Sequence, residues 1–185
     1  MTSIDRKNAG PQIDLDEAVR TISAWTRNTD SFTRTVERWM QSPIDYVLLS
    51  QDRRPVVAQH AAALDVPTRT IALHRHGLLR TAGHEAPIVV AAVRATVVEE
   101  RLSDSVQQSL RSGKLPLGAV LGGYNVRRHT HSITPVSDRD EFGAQALHVN
   151  ATLTTAGELV AVVDETIYQR LLQHGARSTT SPDND

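Results

Sequence analysis

The stretch from Arg69 to Val98 does most to limit what this chain can fold into. Arg69 to Arg80 alternates apolar and polar residues, and Ala86 to Val98 is rich in Val and Ala. Between them, Thr81-Ala82-Gly83-His84-Glu85 forms a Gly-containing loop of hairpin length. Two long strands joined so tightly must pair antiparallel, because a parallel pair needs a crossover of a dozen or more residues. A second hairpin follows the same logic. Gln145 to Thr154 and Glu158 to Glu165 flank Thr155-Ala156-Gly157.

The remaining segments fit around this pair of hairpins. Asp14 and Glu17 have capping-box spacing, and Leu15, Ala18, Val19, Ile22 and Trp25 recur at helical intervals, predicting a helix over 14–26. Asp30-Ser31 starts a second helix with Phe32, Val36, Trp39 and Met40 on one face, ending before Pro43. Asp45 to Gln51 reads as a strand, Arg53-Arg54-Pro55 as a turn, and Pro55 to His60 as its hairpin partner. Ser103 caps a helix over 104–112 that Gly113 and Pro116 stop. Leu117 to Leu121 forms one short helical turn, Tyr124 to Thr134 a strand, Pro135 to Gly143 a charged loop, and Ile167 to Gln173 a terminal helix. Hairpins dominate and no βαβ alternation occurs. The expected class is α+β, with a single antiparallel sheet of about six strands and helices packed on it.

At 185 residues the length matches one domain. The expected division is a polar tail over 1–12, one domain over 13–174 and a second polar tail over 175–185. No cysteine is present, which excludes disulfides, thiolate metal sites and thiol catalysis. The formal net charge of −1 offers no field to hold a polyanion, so no nucleic-acid partner is expected. The longest apolar run, Ile88 to Val93, falls well below the roughly 20 residues of a membrane helix. No apolar segment follows the first charges either, so the chain reads as cytoplasmic with no membrane partner. A single domain without heptads reads as a monomer.

Two charged residues occupy unusual positions. Arg69, Ile71, Leu73 and Arg75 share one strand face, and Thr70, Ala72, His74 and His76 the other. Ile71 and Leu73 mark the first face as the core side, so Arg75 points inward. A buried guanidinium needs an anionic partner, either an internal carboxylate or a ligand's. Glu165 ends the apolar run Leu159-Val160-Ala161-Val162-Val163-Asp164. It is either a desolvated acid–base group with a raised pKa or an acidic residue favoured by the next helix's N-terminus. Pro116-Leu117-Gly118 and Gly122-Gly123 allow close backbone approach. The pairs His74/His76 and His129/His131 have i, i+2 spacing, but nothing beside them, His84 and Glu85 included, completes a metal-ligand pattern, so no metal is expected. Arg127-Arg128 reads as a solvated strand edge.

Taken together, four segments resemble the chorismate pyruvate-lyase family over about residues 20–172. They are Asp30-Ser31-Phe32-Thr33; Leu73-His74-Arg75-His76-Gly77-Leu78-Leu79; Arg94-Ala95-Thr96-Val97-Val98 with Pro116-Leu117-Gly118-Ala119-Val120-Leu121; and Val163-Asp164-Glu165. The resemblance implies a chorismate lyase-like fold, shared with the ligand-binding (UTRA) domains of some transcription regulators. It also implies a cofactor-independent carbon–oxygen lyase that converts chorismate to 4-hydroxybenzoate and pyruvate. In that reading Arg75 holds the ring carboxylate, Glu165 assists proton transfer, and backbone N–H groups near Phe32 and Leu117 complete the pocket. The alternatives are a divergent enzyme of the same fold acting on another chorismate-like or aryl acid, or a non-catalytic module that binds a small ligand.

Overall fold

The computed structural model describes residues 15–83 and 86–178. The expected cap Asp14, the loop residues His84 and Glu85, the tail 1–12 and residues 179–185 lie outside the described residues. The described residues form a seven-stranded antiparallel sheet and six α-helices. Six strands run in the order β1-β2-β3-β7-β6-β4: β1 (Ile44–Pro55), β2 (Ile71–Thr81), β3 (Val89–Val97), β7 (Glu158–Tyr168), β6 (Gly143–Thr155) and β4 (Val126–Pro135). The two-residue β5 (Arg139–Asp140) pairs with β6 off this path, within the expected charged loop. The two hairpins are β2–β3 and β6–β7, and β3 joins β7 at the centre.

Helices cover one face of the sheet in two groups. At one end α1 (Leu15–Arg27), α2 (Phe32–Met40) and α6 (Gln169–Ser178) bury Ile22, Val36, Trp39 and Leu171 against Leu79, Ala91, Val149 and Ile167. Ser31 caps α2 by accepting from the Arg34 N–H, and Gln41 closes it in the left-handed conformation. At the other end α4 (Asp104–Arg111) and α5 (Leu117–Leu121) bury Val106, Leu110 and Leu121 against Leu73, Val97, Leu153 and Val163. The strip of sheet between the two groups is where the site lies.

Several local expectations need correction. Arg53-Arg54-Pro55 is not a turn: β1 stays paired with β2 through Pro55. Its proposed hairpin partner is instead α3 (Ala58–Leu64), which seats Ala61 and Leu64 on the opposite sheet face against Ala72, Val98 and Val162. An Ala-rich segment favours helix, and Ala61 and Leu64 have the i, i+3 spacing that faces one surface. Ile71 is 51% exposed because it lies beyond the reach of the helices, so it does not mark the core. His74, expected to be solvated, is 8% exposed, since the other face is partly covered as well. Ser103 precedes α4 without a capping bond from its side chain.

Candidate functional site

Arg75 sits mid-strand on β2, opposite Gln51 of β1 and Ala95 of β3. It is 4% exposed. Its Nη2 donates to the Leu115 carbonyl at 2.9 Å, while Nε and Nη1 are buried with no partner. No carboxylate forms an ion pair with it among the described residues. Burial pulls its pKa below the ordinary value, with Tyr46 acting in the opposite sense. A guanidinium stays charged nonetheless. The internal ion pair considered for Arg75 is therefore not made.

Tyr46 lies beside it, with the Arg75 guanidinium 5.7 Å from the ring centroid. The neighbouring strand makes room for this ring. A Cβ on Gly77 would overlap the Tyr46 ring, so only glycine at 77 lets the tyrosine lie across β2. Burial pushes the Tyr46 hydroxyl pKa up, and the Arg75 charge draws it back.

Glu165 is also buried, at 3%, but it has a partner. Arg128 reaches in from edge strand β4 and donates Nη1 to Oε1 and Nη2 to Oε2, both at 2.7 Å. Both side chains are almost fully enclosed. Burial raises the Glu165 pKa, and the guanidinium of Arg128 opposes that rise. Arg128 Nε donates to the Thr130 hydroxyl, and the guanidinium lies 5.8 Å from the Phe32 ring centroid. The expectation of a solvated Arg127-Arg128 pair thus holds only for Arg127, which is exposed and pairs with Asp30. Nor is Glu165 a helix N-terminal acid, because β7 continues to Tyr168 before α6 begins.

Phe32 at the start of α2, Leu117 at the start of α5, Val93, Ala95, Leu153 and Val163 complete the walls. All four expected site residues, Arg75, Glu165, Phe32 and Leu117, therefore line one pocket. Sequence reading missed Arg128 and Tyr46. Register offers no signal for Arg128, whereas Gly77 inside a strand hints that something crosses there. The free space between these walls is about 40 Å³, room for a few water molecules and too little for a whole aromatic ring. The pocket opens past Ser31, Tyr46 and Pro116 into a groove of about 860 Å³.

Comparison with solved structures places this architecture. The effector domain of PhnF from Mycobacterium smegmatis superposes with a TM-score of 0.59 at 14% identity, over 76% of this chain and 89% of that one. A structure of PhnF from the same organism gives 0.60 at 12%, over 84% and 79%. The ligand-binding domain of a protein assigned to the GntR family of transcriptional regulators, from Bordetella bronchiseptica, gives 0.54 at 15%, over 69% and 84%. By sequence, the chain matches no family model and no curated protein. The fold is the α+β, chorismate lyase-like fold of UTRA effector domains.

Two expectations change with this result. The carbon–oxygen lyase is overturned: the structural neighbours are regulator domains and not lyases. The exclusion of nucleic acid is likewise unsupported when the neighbours belong to transcriptional regulators. Among the described residues, no helix is long and apolar enough to cross a membrane.

Proposed function

We propose that this chain is a small-ligand-binding module whose pocket holds the carboxylate of a compact organic acid on Arg75. One observation carries the reading. A guanidinium that is 4% exposed, with two N–H groups buried and unpartnered, lines a cavity and lacks a carboxylate. Unsatisfied buried donors are costly, and an arriving carboxylate supplies charged acceptors for them. The Arg128–Glu165 pair neutralises itself, and the other lining acid, Asp30, pairs with Arg127, so Arg75 is left without a counter-charge, which suits a single carboxylate. Glu165 acts as a positioning residue, fixing Arg128 against Phe32 so that the pocket wall is rigid.

The small inner space admits the acid group and the adjoining atoms, and the body of the ligand extends toward the groove. An aryl acid such as 4-hydroxybenzoate is the natural first probe. The kinship of fold with a ligand-binding domain and an effector domain supports binding as the role. Calorimetric titration with 4-hydroxybenzoate tests it. Binding by the native chain and loss of about tenfold to a hundredfold in Arg75→Met are expected, the scale of a buried charge-assisted hydrogen-bond pair. Equal affinity in the Arg75→Met variant would remove Arg75 from the site.

A further inference from the structure

The groove outside the pocket has its own chemistry. Four cationic side chains line it from four different segments: Arg34 on α2, Arg80 on β2, Lys114 in the α4–α5 loop and Arg127 on β4. Three acids share the groove: Asp30, Glu37 and Asp45. Asp30 is taken by Arg127, with Nη1 at 3.3 Å from Oδ2. Asp45 is the strand partner of Arg80, yet no ion pair forms between them, and Glu37 forms none either among the described residues, so the four cations and three acids leave the groove one net positive charge. Among the described residues, Arg34, Arg80 and Lys114 form no ion pair, and the Nε of Arg80 is buried without an acceptor.

These three cations line the groove that adjoins a pocket too small to enclose a whole ligand. We infer that the groove is a second anion subsite: the ligand whose carboxylate rests on Arg75 carries a second anionic oxygen group, and Arg34, Arg80 and Lys114 hold it. This inference rests on the carboxylate reading of Arg75. The inner guanidinium selects for the first acid group by desolvation. The half-open cations add affinity for the second through longer-range attraction that salt screens. A phosphate monoester and a second carboxylate share this chemistry, and the probes below separate them.

The test compares three para-substituted benzoates by calorimetry: 4-methoxybenzoate with a neutral tail, terephthalate with a second carboxylate, and 4-carboxyphenyl phosphate. At low ionic strength, at least one doubly charged probe is expected to bind about tenfold tighter than 4-methoxybenzoate, the gain that one or two partly exposed charge pairs supply. The stronger of the two identifies the group. That preference is expected to vanish in an Arg34→Ala/Lys114→Ala variant that keeps its affinity for 4-methoxybenzoate. Both side chains are exposed, so the variant folds normally. Equal affinities for all three probes, each lost in Arg75→Met, would overturn the groove subsite and leave the Arg75 reading standing. A preference that survives in the double variant and in Arg80→Met would also overturn it. If no probe binds at all, both readings fall together.

Discussion

Arg75 and Arg128 face the same pocket, and one carboxylate separates their roles. Glu165 accepts from both terminal nitrogens of Arg128, whereas Nε and Nη1 of Arg75 have no partner. Breaking the buried pair from one side leaves an uncompensated charge, so Arg128→Met is expected to cost about 3–5 kcal/mol in urea unfolding. Replacing both partners, as in Arg128→Met/Glu165→Leu, should recover most of that loss. A double variant no more stable than the single one would show that the pair is not self-compensating. Arg75 was legible in the sequence because alternation puts it on the face of Leu73, which is buried, although Ile71, read as a second marker of that face, is exposed. The burial of Arg128 was not, because it depends on Phe32 and Thr130 packing around an edge strand.

Two elements carry backbone features that shape the site and the sheet. The β6–β7 hairpin turns through Ala156 and Gly157, with φ of 50° and 85°, the left-handed pair a two-residue turn of this type requires. Alanine there is strained where asparagine is tolerated. Ala156→Asn is therefore expected to stabilise the fold by about 0.5–1 kcal/mol, raising the thermal midpoint by a few degrees. No change in the midpoint would mean that the turn relaxes in solution. On β2, a methyl group at position 77 displaces Tyr46 from beside Arg75. Gly77→Ala should lose about 1–3 kcal/mol of stability through overpacking and weaken 4-hydroxybenzoate binding as well. Unchanged binding would separate Tyr46 from the site. The helix α3 shows how an element can be misread: Pro55 and the preceding arginines suggested a turn, while the following alanines already favoured helix.

At the scale of the whole molecule, the sheet is covered on one face by helices and on the other in part by α3, and the partly covered histidines set its response to acid. Desolvation is the largest cause holding His74, His76 and His131 below the ordinary imidazole range. The unfolded chain binds protons that these folded imidazoles refuse, so stability is expected to fall as pH drops through about 6.5. A thermal-melt series between about pH 7.5 and 5.5 checks this, and His74→Gln should flatten the slope. A slope unaffected by that change would assign the acid sensitivity elsewhere. His74 bonds to the Thr96 hydroxyl, which His60 shares, and His60 in turn meets Asp164 at 3.2 Å, so the histidines serve the polar face opposite the pocket. The sequence by itself determined the antiparallel hairpins and the α+β class; Phe32 and Leu117 entered only as what the resemblance implies. The hairpins and the class rest on local periodicity and turn chemistry, which act between near neighbours. Only the tertiary structure decided that Glu165 is clamped by Arg128 while Arg75 meets no carboxylate among the described residues, that the pocket is small, and that a groove lined by Arg34, Arg80 and Lys114 adjoins it. Each of these depends on which distant segment packs over a strand, and burial, which sets the energy of a charge, is a property of that packing alone.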